Sequence, residues 1–173
     1  MKKYELTEET VTVYGKTLYR IRAVRDFGSV KTGEFGGYIE KEENLSHFGN
    51  AWVFGNAWVF NNARVYDNAW VYDDAWVCGD AKVYGDAWVS GNAEVFNTRH
   101  FFVQGPIGSR NGFITFYRTK DNTVEVRCGC FSGSLQKFVD RVEETHGGSR
   151  YEKEYKLAAE LAKVCIRLEG ESR

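Results

Sequence analysis

No stretch of this sequence approaches the roughly 20 consecutive apolar residues of a membrane-spanning helix. The opening MKKYELTEET places Glu and Thr where a secretory leader carries an apolar run, so a cytoplasmic location is expected. A cysteine framework is missing as well. Cys78, Cys128, Cys130 and Cys165 form no paired pattern, and Cys-Gly-Cys has neither the redox spacing nor the usual zinc spacing. Reduced thiols and no metal site are expected. Charge of either sign is not in excess: the formal net charge is -1, residues 1–98 carry 10 Lys+Arg against 14 Asp+Glu, and residues 99–173 carry 13 against 10. The mild positive bias of the second part suits a small anionic ligand and is far too weak to argue for duplex nucleic acid. Neither a P-loop nor a dinucleotide fingerprint is present, and no cofactor is expected.

What the chain has instead is one six-residue unit used again and again. From Asn50 it reads NAWVFG, NAWVFN, NARVYD, NAWVYD, DAWVCG, DAKVYG, DAWVSG, NAEVFN, so eight consecutive hexads run to Asn97. Ala is always second and Val always fourth. Internal repeats of this kind fix the architecture before any local reading does. On a strand, side chains alternate faces, so Ala and Val point inward while the residues between and after them point outward. Asn, Asp and Gly at the junctions are turn formers that tolerate positive φ. With only Ala and Val inside, the chain winds tightly, one hexad to a flat side.

The Val-x-x-x-Ala spacing is similar to the hexapeptide pattern of left-handed parallel β-helices, which place three hexads in each coil. That resemblance implies a left-handed winding, although parallel crossovers are ordinarily right-handed. Upstream the register continues weakly, with Leu45 at the Ala position and His47 at the Val position of NLSHFG, so the irregular first coil begins near Gly37. Val11-Thr12-Val13 and Leu18 to Ala23 alternate around Tyr14-Gly15-Lys16-Thr17 and predict a β-hairpin that caps the open end. Across essentially the full chain, this entry region and the tail motifs GPIGSR and CGCFSGSL resemble a hexapeptide-repeat family of phages and prophages. The expected organisation is an N-terminal β-hairpin cap (1–36), a left-handed β-helix (37–98) and an α/β tail domain (99–173).

Three hexads per coil stack residues 18 apart at about 4.8 Å along the axis. Trp52, Trp70 and Trp88 then form one ladder beside Phe54, Tyr72 and Ser90. Trp58, Trp76 and Glu94 form a second beside Phe60, Cys78 and Phe96. Arg64 and Lys82, with Tyr66 and Tyr84, make the third side. Two outward aromatic faces are too much apolar surface to leave in water. They predict an oligomer interface at Trp52, Trp58, Trp70, Trp76, Trp88, Phe54 and Tyr72, most simply in a homotrimer or higher cyclic assembly helped by the chain's own terminal segments.

In the tail, Phe101 to Gln104, Phe113 to Arg118 and Thr123 to Cys128 read as three strands. A tight turn at Asp121-Asn122 would set Arg118 opposite Glu125. Ser132 or Ser134 caps a helix whose Leu135, Phe138, Val139 and Val142 share a face and which ends at His146-Gly147-Gly148. Ser149 to Glu152 reads as a capping box for a second helix. The expected order is βββαα. Candidate anion contacts are the loop carrying Gly108, Ser109, Arg110 and Asn111, the strand residue Arg127, and the turn with Cys130, Ser132 and Ser134, where hydroxyls, a guanidinium and backbone amides gather. If both turns lie at one end of the sheet they form one pocket.

Catalytic residues are not expected. Cys130 at a helix start with His146 as its base would be a nucleophilic pair, but a helix of some 12 residues, about 18 Å long, would separate them. The same separation disfavours Cys128, Cys130 and His146 as metal ligands. His47 invites comparison with the histidine base of hexapeptide acyltransferases, yet no inserted loop carries it and no coenzyme A motif follows. The chain is thus expected to be a non-enzymatic oligomer that binds a small anion such as a nucleotide. In a phage setting it would act as a sponge for a host defence signal. The alternatives are a protein-binding scaffold and, third, an acyltransferase.

Overall fold

The computed structural model describes residues 1–169. It divides into two compact units, Met1–Thr98 and a second beginning at Arg99. The protein is mainly β, with a parallel β-solenoid of about three coils in the first unit and two α-helices confined to the second.

The solenoid strands are two residues long, and their register follows the hexad arithmetic. β4 (Trp52–Val53), β7 (Trp70–Val71) and β10 (Trp88–Val89) stack parallel, Trp52 against Trp70 against Trp88. On the next side β5 (Trp58–Val59), β8 (Trp76–Val77) and β11 (Glu94–Val95) stack, and on the third β6 (Arg64–Val65) pairs with β9 (Lys82–Val83). Every Ala and every Val of the eight hexads is fully buried, each Val contributing about 1.5–3 kcal/mol of burial. Each corner turns on one left-handed residue: Gly49, Gly55, Asn61, Asp67, Asp73, Gly79, Gly85 and Gly91 have φ between 57° and 68°. Only Gly, Asn and Asp visit that region at little cost, which is why those types alternate at the junction. The neighbouring Asn and Asp side chains form ladders, Asn50 Nδ2 donating to Asn68 Oδ1 and Asn68 Nδ2 to Asp86 Oδ1.

The first coil is two residues longer than the hexad register predicts. Tyr38 pairs with Trp58, and Leu45, not His47, lies opposite Val65. Leu45 is therefore the inward residue and is buried. His47 falls in the extra pair, outside the stack, with its ring against Tyr4 at 4.3 Å.

The N-terminal segment does more than close the end. β1 (Tyr4–Val13) and β2 (Lys16–Ala23) form an antiparallel hairpin, and β2 pairs with β3 (Phe35–Ile39), which joins the parallel ladder. The turn is the two residues Tyr14 and Gly15, both at positive φ, so Lys16 and Thr17 belong to the strand. Carbonyls at the top of the solenoid all point to this segment. Ala51 O accepts from Lys3 Nζ at 2.6 Å, Ala57 O from Tyr38 N, Val59 O from Glu40 N, Ala63 O from Asn44 Nδ2 at 2.8 Å, and Val65 O from Ser46 N.

The same segment overturns part of the interface expectation. Trp52 is fully enclosed by its own chain, edge-on to Phe27 at 5.2 Å and to Tyr4 at 6.1 Å, so it is not available to a neighbouring subunit. On the second side Val13, Leu18 and Tyr38 pack with Phe60, and Val11, Trp58 and Cys78 close the cluster. A repeat with no room for a second layer recruits that layer from elsewhere in the chain.

Candidate functional site

The second unit holds a four-stranded antiparallel sheet, β12 (Phe101–Ile107), β13 (Gly112–Arg118), β14 (Val124–Cys128) and β15 (Phe131–Ser134), followed by α1 (Leu135–His146) and α2 (Arg150–Cys165). The expected three strands are four, because Phe131–Ser134 pairs with β14 instead of turning directly into a helix. Ile114, Phe116 and Val126 face the helices and pack with Phe138, Val142, Tyr155, Ala158 and Ala162. The β13–β14 connection is longer than two residues. Arg118 lies opposite Val124 and Tyr117 opposite Glu125, so the expected Arg118–Glu125 pair does not form. Arg118 instead holds Asn122 Oδ1 through Nε at 3.2 Å and Glu169 at 3.1 Å.

Strand order places both candidate turns at one end of the sheet. β12 and β13 meet at Gly108–Asn111, where Ile107 pairs with Gly112; β14 and β15 meet at Gly129-Cys130, where Cys128 pairs with Phe131. Gly108, Ser109, Arg110, Asn111 and Cys130 thus share an end. Arg127 and Ser132 are register partners just below it, on the sheet face opposite Cys128. Ser134 does not belong: it pairs with Glu125 near the other end and caps α1, accepting from Lys137 N. Ser132 is a strand residue, not a helix cap.

The loop is clasped by α2. Gly108, at φ +72°, donates its N–H to Glu154 Oε2 at 2.9 Å, and a Cβ there would overlap the Tyr155 hydroxyl. Glu154 Oε1 lies 3.8 Å from Arg150 Nε. Ser109, Arg110 and Asn111 are exposed above this clasp.

His146 returns to the turn end, contrary to the separation argued from helix length. The helix starts at Ser134, one strand away from Cys130, and α1 then runs back along the sheet. His146 lies 5.6 Å from Tyr155 between ring centres, and the Tyr155 hydroxyl bonds Cys128. Burial pushes the Cys128 thiol up, against the pull of the Tyr155 hydrogen bond. Burial first, and then Cys128, push the Tyr155 phenol up to about 12. Both stay protonated at neutral pH, so neither is a ready nucleophile. Among the described residues no group of three or more His, Cys, Asp and Glu side chains could hold a metal ion, and no helix is long and apolar enough to cross a membrane.

His47 belongs to the first unit. Its Nδ1 accepts from Lys3 N, and its Nε2 lies 3.6 Å from Glu42. Sequence reasoning missed the role of Lys3, which is fully buried with its ammonium over the Phe27 ring at 4.9 Å. Nothing in a leading MKK marks a lysine that will close a solenoid.

Residues 63–79 resemble the YdcK Beta solenoid repeat. The matched stretch covers β6 through β8, one strand from each side and so about one coil. No curated protein matches the chain.

Proposed function

We infer that this is a non-enzymatic, self-associating binding protein that captures a small anionic molecule at the turn end of the C-terminal sheet. The observation that carries the reading is the convergence of Arg110, Ser109 and Asn111 with the Gly129-Cys130 turn at one sheet end. A glycine amide beside them already holds a carboxylate, that of Glu154. An amide and guanidinium groups that cradle a carboxylate suit a phosphate equally well. A nucleotide is the ligand class proposed, and a phage-encoded sponge that withdraws a host defence nucleotide is the setting proposed for it. The raised thiol and phenol support binding over nucleophilic catalysis.

Native mass spectrometry of protein purified from cells tests this. A cyclic oligomer, a trimer being proposed, that releases a phosphate-containing molecule in whole-number stoichiometry supports it, and Arg110→Ala should lose that molecule without losing assembly. An empty oligomer with Arg110→Ala indifferent sinks it. One observation favours a protein-contact reading instead: Phe54 packs edge-on to the half-buried Trp70 at 5.2 Å, below the part of that side covered by the N-terminal segment. Loss of assembly on Trp70→Ser would support that reading.

A further inference from the structure

The third side of the solenoid sets two exposed cations against each other. Five other cations of the first unit meet acids. Arg22 lies opposite Glu5 in the hairpin register and pairs with it, Lys16 pairs with Glu40 at 2.7 Å, Arg20 with Glu9 at 2.9 Å, Lys2 with Glu42 and Lys31 with Asp26. Arg64 and Lys82 are register partners on neighbouring coils, cation opposite cation, and both are exposed. Like charges directly opposite in a ladder repel. The other two sides put Trp on Trp at the equivalent position.

The acids nearest in sequence are committed elsewhere. Asp80 accepts from Asn62 Nδ2 at 3.1 Å, Asp86 from Asn68 Nδ2 at 3.1 Å, and Asp67 from Gly85 N at 3.2 Å. None of the three forms an ion pair with Arg64 or Lys82. Beside the cations runs a tyrosine stack, Tyr66 on Tyr84 at 5.4 Å and 17°. Stacked face to face, the two rings leave no open face between them. The Tyr66 phenol is pushed up, by burial first and then by Tyr84 and Asp67, and so keeps the proton it would donate.

We propose that the Arg64–Lys82 side of the solenoid is a recognition surface for a diphosphate group. The two cations repeat at the coil spacing of about 4.8 Å, one for each of two phosphoryl groups joined through a single oxygen. The site is in a different unit from the turn end and does not depend on it.

Inorganic pyrophosphate titrated calorimetrically into the full chain tests the assignment, at low and at physiological ionic strength. Binding is expected at low ionic strength and should weaken with salt. Measured in the Arg110→Ala chain, so that the turn end does not contribute, Lys82→Ala and Lys82→Glu should each weaken it about tenfold or more. Lys82→Glu sets an acid opposite Arg64, so it should also raise the melting temperature of the ligand-free protein. No binding of pyrophosphate by the unaltered chain overturns the proposal. So does binding that survives both Lys82 substitutions. Loss through Arg110→Ala alone would assign the phosphate to the turn end and reject this side.

Discussion

His47 Nδ1 accepts a hydrogen bond from the backbone N–H of Lys3 at 3.3 Å, which couples a titratable ring in the first coil to the third residue of the cap. An imidazole that accepts at Nδ1 carries its proton on Nε2, and charging it puts a hydrogen where the Lys3 N–H now points.

Acidification should therefore loosen the cap. The His47 pKa is lowered, by burial above all and against the pull of Glu42. A depressed folded value means the unfolded chain takes up the proton first, so stability is present above the ordinary histidine value of 6.5 and declines as pH falls through it. Melting curves between about pH 7.5 and pH 5 should show the fall, and His47→Gln should flatten it. An equal slope in the variant would refute the coupling.

Lys3 should show the opposite arm of the pH profile. Burial, with Arg25 adding to it, brings its ammonium down to about 8. The unfolded chain then binds the proton more tightly, so this residue's contribution rises as pH climbs from about 8 toward 10.5. Lys3→Ala should remove that rise and cost about 1–3 kcal/mol at neutral pH, because Ala51 O loses its donor inside the fold. Denaturant titration of the variant at two pH values reads both effects.

Gly108→Ala should be costly for the second unit. The residue holds φ +72° and its missing Cβ is replaced by the Tyr155 hydroxyl. Left-handed strain adds about 1–2 kcal/mol, and the clash forces α2 or the loop to move. Hydrogen exchange should show the β12–β13 turn and the start of α2 losing protection together. A silent substitution would mean the clasp is not a constraint.

At the solenoid corners, Asn61→Gly should be near neutral and Asn61→Val should cost about 1–2 kcal/mol, since φ is +60° there and a β-branched residue resists that conformation. Thermal melts of the pair separate corner strain from any general sensitivity of the coil.

The hexads were legible because one period governs both composition and stacking. Trp52, Trp70 and Trp88 align once each side is given six residues, and the structure stacks them so. What covers those columns was not legible. Tyr4, Val13, Leu18 and Phe27 carry no repeat, and their destination is set by tertiary packing. The two extra residues around His47 escaped because NLSHFG imitates a hexad while the chain bulges there. In the tail, Phe131-Ser132-Gly133-Ser134 has the composition of a cap and the conformation of a strand. Missing that strand also put Cys130 at the start of the helix, where the structure has Ser134 as the cap. The end of the sheet where Gly108 and Cys130 meet was readable only as a condition, because which strands are neighbours is decided by hairpin order rather than by either motif.

The solenoid has a direction, since the carbonyls of each coil accept from the coil before it, as Ala69 O does from Trp52 N. Its first coil would expose a row of acceptors were it not for the Lys3 ammonium, the Asn44 amide and β3. A stack of identical rungs invites another copy to add at its tip, as a template adds to a filament. Capping by the chain's own first residues puts the edge of an antiparallel hairpin where a further parallel rung would sit, so an identical coil cannot extend the ladder at this tip by the same pairing.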